Sequence, residues 1–149
     1  MLSQLSKTYN LFIVSNCQDG YIDALFTAHP IGQYFKDSEC SGRTSLPKGK
    51  NIRLLMERNN LKDAIYIGDT QKDKEACEDA QIPFIYATYG FGTVDSYDAK
   101  IDSFDELLTL FPTKRPKRMP FYIFFKKTSS SSISSLASPS GSPPSLILS

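Results

Sequence analysis

The chain has 149 residues, a formal net charge of +1, 40% hydrophobic and 22% charged residues. That length suits one domain with a sizeable core and falls short of two, and near-neutrality excludes a general affinity for polyanions. Its three cysteines, Cys17, Cys40 and Cys77, form no CxxC pair, which excludes a disulfide framework or zinc site and predicts reduced, packed thiols in a cytoplasmic protein; no apolar run is long enough for a signal peptide or a membrane span.

In chain order, LFIVSN (11–16) is a continuous β-rich run, the pattern of a strand covered on both faces. YIDALFTAHP (21–30) predicts a short helix that ends before Pro30. NIRLLMERNNL (51–61) places Ile52, Leu55 and Met56 on one helical face and turns Arg53, Glu57 and Arg58 elsewhere. AIYIGD (64–69) is a second buried strand. QKDKEACEDAQ (71–81) follows as a polar helix with a small-residue stripe, Ala76 and Ala80. IPFIYATYGFG (82–92) predicts a third strand and a glycine-punctuated loop. SFDELLTLF (103–111) has Ser103 and Glu106 in capping-box spacing before an apolar face, a helix start. Such strand–helix alternation predicts an α/β fold: a Rossmann-like parallel sheet with helices on both faces.

Composition changes near residue 112. TKRPKRMPFYIFFKK (113–127) is basic, apolar and basic again, and TSSSSISSLASPSGSPPSLILS (128–149) is rich in Ser and Pro. The latter has too little contiguous apolar surface to offset its ordering entropy, so residues 113–149 read as a disordered tail appended to a core of residues 1–112. KRPKR (114–118) is too small a basic patch to imply nucleic-acid binding. No internal repeat is visible.

Ligands of an open parallel sheet bind at the carboxyl ends of its strands. Three features fall there. Ser15 and Asn16 end the first strand with a hydroxyl and backbone N–H groups suited to phosphate oxygens. Lys48, in LPKGKNI just before a helix, supplies a compact positive charge, with Lys50 as its competitor. Asp69 and Asp73, four apart after the second strand, offer hard oxygen ligands that suit Mg²⁺. Taken singly, each has an ordinary explanation: a turn, a solvated lysine, an acid enriching the first turn of a helix. Together they supply the positioning and electrostatics that phosphoryl transfer requires, apart from a nucleophile.

LFIVSN, LPKGKNI and YIGDTQKDKEA resemble motifs II, III and IV of the haloacid dehalogenase superfamily, in its phosphoglycolate-phosphatase-like branch. The resemblance spans residues 1–112. It implies a phosphate monoester hydrolase that uses Mg²⁺ and acts on a small phosphorylated metabolite. It assigns phosphoryl binding to Ser15 and Asn16, stabilisation of the transferring phosphoryl group to Lys48, and metal binding to Asp69, with Asp73 as a second acid acting through water.

The same resemblance exposes a gap. The family's first motif is a DxD after an apolar strand, its first aspartate the nucleophile, and no two aspartates here stand two residues apart. Asp19, in CQDGYID, lies after motif II and outside any strand, with Tyr21 at its +2 position, so it is rejected as nucleophile. The chain therefore reads as a C-terminal portion lacking motif I and the cap, with residues 2–10 as the helix and turn leading into the strand that ends at Asn16. The family order 5-4-1-2-3 leaves strand 1 missing between the strands ending at Asn16 and Asp69. These either pair directly or leave open edges, unless FYIFF (121–125) or a complementing strand of a partner chain fills the vacancy. The expectation is an enzyme by descent that is inactive alone. The alternative is a non-catalytic regulatory module that retains the phosphate and Mg²⁺ pocket. A receiver domain with Asp69 as phosphoacceptor fits poorly, because LFIVSN lacks the acidic cluster that receivers need after their first strand.

Overall fold

A computed structural model describes residues 1–112 and 122–125. Its elements are α1 (Leu2–Leu5), β1 (Asn10–Ser15), α2 (Tyr21–Ala28), β2 (Phe35–Cys40), α3 (Ser41–Thr44), α4 (Lys48–Arg58), β3 (Ala64–Gly68), α5 (Gln71–Ala80), β4 (Phe84–Ala87), β5 (Ala99–Ile101), α6 (Leu107–Leu110) and β6 (Tyr122–Phe125). Single 3₁₀ turns lie at Gly32–Tyr34 and Phe104–Glu106.

All strand pairings are parallel, in one sheet ordered β2-β1-β6-β3-β4-β5. Alternate residues of the strands sort the core onto two faces. Leu11, Ile65, Ile67, Ile85 and Ile123 join Leu5, Tyr9, Leu107 and Phe111 on one side. Phe12, Val14, Tyr66 and Phe84 join Ile52 and Leu55 of α4 and Ala76, Cys77 and Ala80 of α5 on the other. The small-residue stripe of α5 thus faces the core. A third cluster, Ile13, Ile22, Leu25 and Cys40, packs α2 against β1 and β2.

The centre of the sheet corrects the reading of the tail. β1 and β3 do not pair with each other. β6, drawn from the segment expected to be disordered, lies between them with Leu11, Ile123 and Ile65 in one register row. Residues 122–125 of the FYIFF segment therefore fill the gap in the middle of the sheet. The physical reason is hydrogen bonding: two central strands with unsatisfied backbone groups outweigh the ordering entropy of a short apolar segment. Ile123 is fully buried there. The remainder of the expected tail, residues 113–121 and 126–149, lies outside the described residues.

Two strands were not expected. β2 reads as polar, FKDSEC, but its two acids are held by a guanidinium from another element: Arg58 Nε donates to Asp37 (2.9 Å) and Arg58 Nη1 to the buried Glu39 (3.0 Å). β5 is only three residues long. At 103–111 the expected helix is a 3₁₀ turn followed by α6, and Ser103 makes no side-chain cap bond. Glu106 instead accepts from the Asp102 N–H at 3.1 Å.

Candidate functional site

The carboxyl ends of β1 and β3 carry the residues that the motifs singled out. Ser15 is the last residue of β1 and is buried; its Oγ accepts the Cys17 N–H at 3.2 Å, which bends the chain out of the strand. Asn16 is exposed, and its Oδ1 accepts the Ser41 hydroxyl at 3.1 Å. These bonds tie the exit of β1 to the exit of β2.

Lys48 does not precede its helix but begins it, with Pro47 at the cap. Pro47 suits that place because it has no N–H to satisfy and its φ is already set. The preceding turn is held by Asn51, fully buried, whose Oδ1 accepts the Thr44 hydroxyl (2.7 Å) and whose Nδ2 donates to the Leu46 carbonyl (3.2 Å). The Lys48 side chain runs inward, 4% exposed, while Lys50 is exposed. Its ammonium donates to Asp73 Oδ1 and lies 5.8 Å from the centroid of the Tyr66 ring, a cation–π contact. Tyr66 is fixed by donating its hydroxyl to the Val14 carbonyl at 3.2 Å. Burial, then the Asp73 and Asp69 charges, push the Tyr66 phenol well above its usual range, so it stays neutral under the ammonium.

Asp73 is fully buried and both its oxygens are engaged. Oδ1 takes Lys48; Oδ2 accepts the Thr70 hydroxyl (2.7 Å), the Thr70 N–H (3.1 Å) and the Asp69 N–H (3.3 Å). With Thr70 as N-cap and Asp73 at the third helical position, this is a capping box for α5. Thr70 was missed in the sequence, though the T-x-x-D spacing carried the signal. Asp73 therefore caps a helix and holds the lysine at once.

Asp69 follows β3, also fully buried, and its Oδ2 accepts the Phe91 N–H at 2.8 Å. That amide comes from the YGFG loop after β4, which the sequence marked only as glycine-punctuated. Gly90 is required by close approach: a Cβ there would stand 2.1 Å from the Asp69 Cβ. Gly68 has the same role, since its Cβ would stand 2.8 Å from that of Asp73. Gly68 does not have a positive φ, so the Gly-Asp pair serves packing rather than a left-handed bend. Beside this loop, the Tyr89 phenol is raised above its ordinary pKa by burial and then by the Asp69 charge.

Asn16 and Lys48 meet at a hollow of about 600 Å³ that is also lined by Ser41, Pro47, Lys72 and Asp79. Glu75 lines it too, so its two lysines are matched by two carboxylates and the hollow as a whole carries no net charge that selects an anion. Among the described residues, no group of three or more His, Cys, Asp or Glu side chains could hold a metal ion. Asp73 is engaged by Lys48 and by backbone amides, so among the described residues Asp69 is the carboxylate at this strand end with a direct role to offer, and a single carboxylate fits Mg²⁺ where phosphate oxygens and water complete the shell. Among the same residues no helix is long and apolar enough to cross a membrane.

Comparison with known proteins adds the family. A family model described as haloacid dehalogenase-like hydrolase matches residues 1–87. A search of curated proteins returns no match. Three solved structures share the fold. A haloacid dehalogenase-superfamily hydrolase, subfamily IA, variant 1, from Geobacter sulfurreducens superposes with a TM-score of 0.63 at 18% identity, over 73% of this chain and 51% of its own. A haloacid dehalogenase-like family hydrolase from Streptococcus pneumoniae gives 0.67 at 23% identity, over 74% and 56%. A candidate phosphatase from Clostridium difficile gives 0.57 at 22% identity, over 83% and 52%. The chain thus spans about half the length of the solved structures it matches.

Proposed function

Because the chain belongs to the haloacid dehalogenase-like hydrolase family, we propose that it carries the phosphate-binding half of a Mg²⁺-dependent phosphatase site and does not turn over phosphate esters alone. The observation that carries this reading is the identity of the central strand. β6 occupies the position that the family resemblance assigns to the nucleophile-bearing strand, and it contributes Tyr122, Ile123, Phe124 and Phe125, none of them a carboxylate.

In this reading the chain's own groups bind and orient. The Ser15 hydroxyl and the N–H groups of the turn after β1 take phosphate oxygens. Lys48, aimed by Asp73 and desolvated against Tyr66, neutralises part of the phosphate charge in a low-dielectric pocket, where a fixed cation acts more strongly than in water. Asp69, held by the Phe91 amide, is the metal ligand. Mg²⁺, when bound, supplies further neutralisation of the phosphate oxygens. Asp73 acts indirectly, through Lys48 and the capping box. Without a nucleophile these groups stabilise charge that nothing generates, so binding without turnover is the expected outcome. The ligand class is a small phosphorylated metabolite, and the regulatory-module alternative describes the same pocket put to use without chemistry.

The test is a paired assay on the full chain. Inorganic phosphate binding is titrated with and without Mg²⁺, and release of p-nitrophenol from its phosphate ester is followed under the same conditions. Saturable, Mg²⁺-enhanced binding that is weakened by Asp69→Asn, with no release above background, is expected. Mg²⁺-dependent release that Asp69→Asn abolishes would sink the proposal.

A further inference from the structure

The last rung of the β1–β2 ladder pairs Ser15 with Cys40. Beyond it the chain leaving β1 folds across the end of β2: the Gly42 N–H donates to the Cys17 carbonyl at 2.9 Å, and the Cys40 thiol donates to the Gln18 carbonyl at 3.8 Å. A Cβ on Gly42 would stand 2.3 Å from the Asp19 nitrogen, so the two exits touch backbone to backbone. Cys17 packs against the small cluster of Ile13, Ile22, Leu25 and Cys40, so the two cysteines share one apolar pocket. Cys40 is fully buried there and Cys17 half-buried.

We propose that Cys17 and Cys40 form a reversible dithiol–disulfide pair, closed by a low-molecular-weight disulfide and reopened by thiols. The half-exposed Cys17 reacts first: its thiolate attacks one sulfur of the oxidant, the S–S bond breaks, and one small thiolate leaves and takes up the proton lost by Cys17. Cys40 then gives its proton to solvent and attacks the Cys17 sulfur of the mixed disulfide, forming the Cys17–Cys40 bond and expelling the second small thiol. Two protein thiols are oxidised by two electrons, and one small disulfide is reduced to two thiols. Burial holds the Cys40 thiol above its ordinary pKa, which suits a resolving rather than an attacking role, and the Arg43 guanidinium beside it favours the thiolate when it forms. Cys77, buried under α5, serves as the internal control.

Closure draws Cys17 towards β2, and the Cys17 N–H is the group bound to Ser15 Oγ. Oxidation is therefore expected to weaken phosphate binding severalfold, a consequence that rests on the phosphate reading above; the disulfide itself does not.

The experiment treats the full chain with glutathione disulfide, blocks remaining thiols by alkylation, and reads intact mass and linked peptides. The wild type should lose the mass of two hydrogens, link Cys17 to Cys40, and leave Cys77 to be alkylated after denaturation. Cys40→Ser should accumulate a glutathione adduct on Cys17, and Cys17→Ser should show neither adduct nor link. A stable adduct on Cys17 of the wild type, or a link through Cys77, overturns the proposal. If Cys40→Ser does not fold, Cys17→Ser decides: an oxidised product in that variant equal to the wild type's refutes the pairing. Failure of both redox forms to bind phosphate would count against the phosphate reading alone, since the mass reports the thiol pair directly.

Discussion

At the scale of single residues the site is organised by one buried ion pair. Lys48 and Asp73 are 4% and 0% exposed, so both charges are met by protein groups rather than by water. Removing one partner of such a pair strands the other in a medium of low dielectric, at a cost of about 3–5 kcal/mol. Lys48→Met is accordingly expected to lower the unfolding free energy by about that amount. Asp73→Asn added to it should recover part of the loss, because the amide keeps an acceptor for the capping box. Urea unfolding of the two variants checks this, and a Lys48→Met protein as stable as the wild type would show that the pair is not desolvated. Lys50, two residues later, is exposed and takes no part in this pair.

At the scale of elements, the edge strand β2 is pinned to α4 by charge. Burial alone would raise the Asp37 carboxyl, but hydrogen bonds from Asn59, Arg58 and the Ser38 N–H outweigh it and hold the group below its ordinary 3.8. A carboxyl depressed in the folded state adds stability that is present above its unfolded pKa and disappears as the pH falls through the folded one. Asp37→Asn should therefore be less stable than the wild type at neutral pH, and the gap should shrink below about pH 4. Asp37 is 27% exposed, so solvent screening keeps the effect modest. Denaturant midpoints at pH 7 and pH 3 measure the gap, and an equal gap at both would assign the loss to geometry rather than charge.

At the scale of the whole molecule, the sheet is closed at its centre by a strand from the far end of the sequence. β6 gives β1 and β3 their parallel neighbours and adds Ile123 to the core. A chain ending at Pro112 exposes two strand edges in the middle of an apolar sheet, a template for aggregation. Such a truncation should elute as aggregates or oligomers in size-exclusion chromatography. Ile123→Ala in the full chain should cost about 2–5 kcal/mol, as for other buried aliphatic side chains. A soluble, monomeric truncation with unchanged unfolding would place the stability of the sheet elsewhere.

The apolar runs at 11–15 and 64–68, and the helices after them, were readable from sequence because strand and helix periodicities are local properties of the chain. So were Ser15, Asn16, Lys48, Asp69 and Asp73 as candidates, since each stands at the end of such an element and motif spacing links them. Tertiary structure alone decided three things. It made β2 a strand, because the charges that disguise it are neutralised by Arg58 from another element. It divided the acids, giving Asp73 to Lys48 and the capping box and Asp69 to the Phe91 amide. It drew residues 122–125 into the sheet, because an unmet row of backbone hydrogen bonds belongs to no single segment and becomes visible only when the strands on either side of it are in place.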